Sequence, residues 1–358
     1  LTFVNLGTDQ SDNENASMDL DIYLQKTKVP TTVAEACASG DNLADCIVTL
    51  NDKSTSSVSN IYYHDSSLAN GAGDNNYRYA GANPNNFVCF GSTTSPCPTD
   101  NLYRIIGVFG ENYHGVTGKQ LVKLIKYDYA TSALLGTDGD YGDYYGSVTP
   151  DASYYKGSLT TINTYYWNYN ATHKNTWNES LLNKTNLNMN FINNIGTTWA
   201  NKVATTTWKV GGNTAVNILG AVPSIAYQNE IVNPDVTNST DNATTYSAKI
   251  GLMYVSDYGF GAVPEAWTTK LGNYDVRGNG STITSQNWMY MGNREWTITR
   301  TSNDSYYAFY VGFDGAMTFG GVGIHGADFS GVRPSFNLES STTYVSGSGS
   351  MSDPITIN

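Results

Sequence analysis

The chain has 358 residues, with 19 Lys plus Arg against 31 Asp plus Glu, a formal charge of −12. Charged residues make up 14%, where about 25% is usual, and this acidic chain shows no Lys/Arg cluster of the kind that neutralises phosphates, which excludes nucleic-acid binding. No apolar run approaches the roughly 18 residues of a membrane span, and an apolar share of 40% with 27 Tyr points to a buried core rather than a disordered chain.

In chain order, Leu1–Leu6 (LTFVNL) and Met18–Gln25 (MDLDIYLQ) alternate apolar and polar residues around the polar loop GTDQSDNENAS, which predicts a β-hairpin. A lone hairpin is marginal in water, so it needs strands from upstream chain or from another subunit. The first residue is Leu, as expected of a chain that has lost a signal segment or begins inside a longer protein. Thr27–Thr31 reads as a linker, and Val33–Ala36 and Leu43–Leu50 predict two short helices. Ser54–Asn86 reads as ordered loop with short strands. Leu102–Phe109 (LYRIIGVF) and Gln120–Tyr127 (QLVKLIKY) predict a buried hairpin of β-branched and aromatic residues. Trp177–Ala204 reads as helical, capped by Asn178, with Leu181, Leu182, Leu187, Met189 and Phe191 as a partial apolar face. Short strands come next: KIGLMYVS from Lys249, NWMYM from Asn287, EWTITR from Glu295, YAFYVGF from Tyr307, VRPSFNL from Val332 and TTYVS from Thr342. The tail from Gly347 predicts a last turn and strand.

The cysteines fall as two close pairs, Cys37/Cys46 and Cys89/Cys97, each closing a turn-rich loop: ACASGDNLADC and CFGSTTSPC. Four cysteines allow three connectivities, of which the two local disulfides are simplest; free thiols are the alternative. Zinc is disfavoured, because neither spacing is C-x₂₋₄-C and His64, His114, His173 and His325 are scattered. Disulfides, together with low charge and abundant Tyr, Asn, Thr, Ser and Gly, predict an extracellular protein.

The landmarks YRIIGV, QLVKLIKYD, NTWNESLLNKTNLNMNFI, WKVGG, KIGLMYVSDYG, EWTITR, YAFYVGFDG and GVRPSFNL occur in an order that resembles an uncharacterised domain of surface proteins from Gram-positive, gut-type bacteria. The likeness covers about Leu102 to Leu338. The closing W…R…A-x-x-V…G…GVRP pattern also resembles the C-type-lectin-like fold of formylglycine-generating enzymes and of retroelement variable proteins, an analogy at the level of fold. The N-terminal hairpin resembles the last two strands of a fibre-forming, camelysin-like β-sandwich. These resemblances imply an α+β, β-rich fold: a sandwich hairpin at 1–28, a disulfide-tied connector at 29–101 and a C-type-lectin-like domain at 102–358. They also imply display on a bacterial cell surface. Formylglycine-generating enzymes use a cysteine pair late in the domain, and here nothing after Cys97 is a cysteine. That departure removes the oxidase chemistry, and no catalysis is expected.

The lectin-like reading sets the candidate site. Trp288–Phe329 is rich in Tyr, Trp and Phe interleaved with Asn, Asp, Ser and Gly, the composition of binding surfaces. Tyr306, Asp314, Met317, His325 and Asp328, in the turns flanking the strands, are the expected ligand contacts. Alternate aromatics of YAFYVGF must face the core. Asp138, Asp140 and Asp143 (DGDYGD) are candidate calcium ligands, although Gly and Glu are missing where an EF-hand loop needs them; a solvated acidic turn is the competing reading, and no other cofactor is expected. No G-x-S-x-G elbow occurs. Tyr63-His64-Asp65 is expected to hold a structural histidine, since strand neighbours point to opposite faces. Arg333 is expected to pair with a buried carboxylate or carbonyls. Eight N-x-S/T sequons, at Asn15, Asn170, Asn178, Asn183, Asn238, Asn242, Asn279 and Asn303, carry no information if the chain is bacterial, as the resemblance implies, since a chain this rich in Asn and Thr forms them by chance. The expected function is a surface-displayed recognition or adhesion protein, taking a carbohydrate or protein ligand on a host or bacterial surface. The alternative is a structural subunit of an extracellular filament or pilus, joined to copies of itself through the N-terminal hairpin.

Overall fold

Side-chain caps set the first two helices. The Thr32 hydroxyl accepts from Glu35 N ahead of the helix Val33–Ala36, and the Asn42 side chain accepts from Ala44 N and Asp45 N ahead of the helix Leu43–Val48. Both satisfy amides that have no partner inside the helix. A disulfide, Cys37–Cys46, ties the two helices across a Cα separation of 5.5 Å, and Cys89–Cys97 closes the second local loop. The computed structural model describes residues 29–51, 59–137, 162–168, 174–235, 243–274, 281–322 and 330–358. The hairpin expected at 1–28 lies outside them.

Strands β1 (Ile61–Tyr63), β2 (Tyr77–Tyr79) and β3 (Phe87–Cys89) come from the connector region. Next, β4 (Leu102–Phe109) and β5 (Leu121–Lys126) form the expected antiparallel hairpin, with every residue of both strands buried. Apolar residues dominate both strands, which suits strands covered on both faces. Their connection is more than a turn: it holds the helix Glu111–His114, which ends on Gly115 at φ +76°. At Gly107 the register of β4 against β5 shifts, and a Cβ there would meet the Tyr77 carbonyl oxygen at 2.0 Å. Only glycine lets β2 lie this close to β4.

The remaining strands are β6 (Thr206–Lys209), β7 (Gly212–Asn213), β8 (Thr245–Ala248), β9 (Ile250–Gly251), β10 (Glu295–Thr301), β11 (Tyr307–Val311), β12 (Met317–Gly321), β13 (Ser335–Asn337), β14 (Tyr344–Ser346) and β15 (Thr356–Ile357). A seven-stranded sheet runs β1-β2-β4-β5-β13-β9, with β3 also on β4. A four-stranded sheet runs β12-β11-β10-β7, and β14–β15 and β6–β8 are separate pairs. With the short helices between them, this is a mixed α+β architecture rich in strands. The boundary expected between residues 101 and 102 falls inside the large sheet, because β2 and β3 both pair with β4. One hydrophobic cluster runs from Val33 to Ile357, so the connector and the region after it share a core.

Three local expectations are corrected. Asn178 does not cap the central helix: it sits in a 3₁₀ turn, Trp177–Glu179, and Ser180 Oγ accepts from Asn183 N at 3.2 Å instead. The next element is a π-helix, Leu182–Phe191. Its wider turn brings Leu182, Leu187 and Phe191 onto the buried side and leaves Met189 55% exposed. KIGLMYVS is strand only at Ile250–Gly251, and the helix Val255–Phe260 begins at its end. The Asp257 carboxylate accepts from Tyr254 N, and the Glu230 carboxylate accepts from Val255 N and Ser256 N. Two buried acids thus hold the helix start. NWMYM is irregular: Asn287 Oδ1 accepts from Met289 N, Asn287 Nδ2 donates to the Tyr258 carbonyl, and the backbone makes an isolated bridge to Ala262.

The core holds several cations. Arg78 pairs with Asp74 at 2.6 Å and lies over the rings of Phe109, Tyr227 and Phe260. Arg104 sits between the rings of Phe87 and Trp288 and donates to Asn86 Oδ1. Arg333 donates to Glu295 Oε1 at 2.8 Å and to the Met289 carbonyl at 2.6 Å, the structural role expected of it. Ring faces and carboxylates replace the water these groups lose. Among the described residues no helix is long and apolar enough to cross a membrane.

Candidate functional site

Of the residues expected to meet a ligand, the three that are described, Tyr306, Asp314 and Met317, do not form one site. Tyr306 precedes β11 and Asp314 comes after it, so at about 3.4 Å per residue they stand roughly 17 Å or more apart. Tyr306 is 38% exposed. Asp314 Oδ1 accepts from Ala316 N, which shapes the β11–β12 turn. Met317 is corrected: it opposes Val311 on β11 and is 2% exposed, so its side chain belongs to the core and presents nothing to a ligand. His325 and Asp328 lie outside the described residues, as do Asp138, Asp140 and Asp143. Among the described residues, no three His, Cys, Asp or Glu side chains are grouped to hold a metal.

His64 behaves as a structural histidine. Its ring is fully buried against Phe260 and Trp267, and its Nδ1 accepts from Ala72 N at 3.1 Å. Burial, reinforced by the Arg78 charge, holds its pKa well below the ordinary value, so the ring is neutral. Asp65 faces a different turn, where Oδ1 accepts from Ser67 N and Leu68 N.

A groove of about 540 Å³ opens between the Cys89–Cys97 loop and the β14–β15 hairpin. Backbone bonds build it. Cys89 N donates to the Ile355 carbonyl at 2.8 Å, Ile355 N to Phe87 at 2.9 Å and Phe87 N to Gly349 at 2.8 Å. These clamp β3 beside the C-terminal tail. The disulfide then folds the hydroxyl-rich run Ser92–Ser95 back to form one wall. The opposite wall is the hairpin, where the Ser346 and Thr356 hydroxyls lie 2.7 Å apart. Trp199 supplies the aromatic surface. It packs edge-on against Phe90 with centroids 5.0 Å apart, which fixes its ring, and the Lys202 ammonium lies 5.9 Å from its centroid.

The lining decides the ligand chemistry. Seven side chains carry hydroxyls, Asp353 is the one side-chain carboxylate, and no Lys or Arg takes part. Asp353 is already engaged, accepting from Ser348 N at 2.8 Å. A fixed indole beside many hydroxyls suits a neutral polyhydroxylated ring, whose C–H face covers the aromatic while its rim hydrogen-bonds. The sequence signal was present in the Ser/Thr content of CFGSTTSPC and of the Ser-rich tail, but only the fold brings these segments, about 250 residues apart in sequence, onto one groove with Trp199.

The most perturbed acids and bases lie away from this groove. Glu230 is pushed up to about 7 by burial, and its oxygens accept from Val255 N, Ser256 N and the Thr299 hydroxyl. Burial lowers Lys123 below its ordinary value; the amine donates to Asp257 and Tyr113 inside the core. Their partners are structural groups. No family model matches the chain, and neither a curated protein nor a solved structure matches it.

Proposed function

We propose that this chain is a surface-displayed recognition or adhesion protein that binds a carbohydrate through the groove between the Cys89–Cys97 loop and the β14–β15 hairpin, without turning a substrate over. The observation that carries the reading is the fixed Trp199 ring in a groove whose lining carries seven hydroxyl side chains and no Lys or Arg. Two disulfides support an oxidising, extracellular setting. A bacterial cell surface and a lectin-like fold belong to the proposal, on the strength of the sequence resemblance. The filament reading rests on residues 1–28, outside the described residues, and no observation in the fold favours it.

A glycan array probed with the intact chain, followed by titration of the best-retained glycan, tests the reading. Trp199→Ala should weaken binding at least tenfold, about 1.4 kcal/mol, while Tyr306→Ala leaves it unchanged. Equal affinity of Trp199→Ala and the parent chain removes the groove as the site. Loss with Tyr306→Ala instead moves the site to the β10–β12 surface.

A further inference from the structure

We propose that Lys123 and Asp257 form an intramolecular amide bond, a self-made cross-link between the central strand β5 and the helix Val255–Phe260. Lys123 Nζ lies 2.6 Å from Asp257 Oδ2, and both side chains are buried, at 0% and 1% exposure. Tyr113 closes a ring: Nζ donates to its hydroxyl at 2.6 Å, and that hydroxyl donates to Asp257 Oδ1 at 2.7 Å. The carboxyl carbon lies one C–O bond beyond Oδ2, which brings it within near-attack range of the amine. A hydroxyl bridges the nucleophile and the oxygen that must leave. The rings of Tyr254, Tyr113, Trp208 and Phe109 surround Nζ at 4.4, 4.7, 5.2 and 5.9 Å and exclude solvent. Glu230 is a positioning residue, holding the helix start through Val255 N and Ser256 N so that Asp257 stays on the amine.

The step balances without a co-reactant. One proton passes from the ammonium to Asp257, giving a neutral amine and a neutral acid. Burial already pushes Lys123 toward the neutral amine. Nitrogen attacks Cγ, the N–C bond forms and the Cγ–Oδ1 bond breaks. Oδ1 departs as water with two protons: the one the acid gained and a second from nitrogen, relayed through the Tyr113 hydroxyl. Ammonium plus carboxylate becomes amide plus water. The driving force is desolvation. A buried ion pair carries the cost of two charges removed from water, and the amide carries neither charge. The bond closes a span of 134 residues, from a central strand of the large sheet to a helix packed on it.

Intact-mass spectrometry of the purified full chain, disulfides preserved, is the test. The expected mass is one water, about 18 Da, below that of the disulfide-bonded chain, and trypsin should leave Lys123 uncut and yield a peptide joining the Lys123 and Asp257 segments. Lys123→Arg should restore the full mass, and Tyr113→Phe should slow the loss at least tenfold in freshly made protein. A parent chain of full mass that is cut after Lys123 overturns the proposal and leaves an ordinary ion pair. The parent measurement is decisive even if a variant fails to fold.

Discussion

Replacing Glu295 by alanine should destabilise the fold by about 3–5 kcal/mol, the cost of leaving a buried charge without its partner. Glu295 opens β10 at 2% exposure and accepts from Arg333 Nε at 2.8 Å; Arg333 is 1% exposed. Its other bond, to the Met289 carbonyl, offers a dipole but no countercharge. Arg104 adds to the strain: its pKa is pushed down to about 9, first by burial and then by the Arg333 charge, so two guanidiniums already compete for this region. Removing both partners is a different perturbation. The double variant Glu295→Leu, Arg333→Met fills the same space without charge and should lie within about 1–2 kcal/mol of the parent, because a buried pair contributes little beyond an apolar substitute. Urea unfolding followed by tryptophan fluorescence compares the parent, the single variant and the double variant. A Glu295→Ala loss below about 1 kcal/mol, or a double variant as unstable as the single, would refute this reasoning.

Glu230 makes stability depend on pH. Its folded pKa of about 7 lies above the ordinary 4.5, so folding favours the protonated form. Its contribution is complete below about pH 4.5 and is lost as pH rises to about 7, roughly 3 kcal/mol in all. The difference between the parent and Glu230→Gln, measured by urea unfolding at several pH values, should shrink across that window; a constant difference contradicts it. His64 works in the opposite sense: its lowered pKa means stability is lost as pH falls below its unfolded value near 6.5, and the paired comparison removes this background. Replacing both Cys89 and Cys97 by serine opens a loop of sequence separation 8 and should cost about 2–3 kcal/mol. The same change should lower glycan affinity, because the Ser92–Ser95 wall loses its anchor; unchanged affinity would show that the wall does not touch the ligand.

Local chemistry was legible where one short segment decides the outcome. The two small helices tied by Cys37–Cys46 carry their own caps, and LYRIIGVF with LVKLIK can only be covered strands. Arg333 next to Pro334 announced a buried partner, found in Glu295. Reading failed where distant groups decide. KIGLMYVS looks like a strand, yet the Glu230 carboxylate, 25 residues away from Val255, holds its last two residues at the start of a helix. NWMYM has strand-forming residues, but the Asn287 side chain takes the place of ladder bonds. The expected site failed for a related reason. Composition flagged the aromatics of Trp288–Phe329, but in the fold Met317 and Phe309 pack inward, and Tyr306 and Asp314 end up at opposite ends of β11. The groove instead joins Cys89–Cys97, Trp199 and the tail through backbone bonds such as Cys89 N to Ile355, which no local pattern announces.

The central claim is that ligand enters the groove beside Trp199. Hydrogen exchange of the intact chain, with and without the best-retained array glycan, locates the contact directly. The account predicts slowed exchange in the loop Cys89–Cys97 and in β14 and β15, with β11 and β12 unchanged. Protection confined to β11, β12 and the turn at Asp314, with the Cys89–Cys97 loop unaffected, would contradict it.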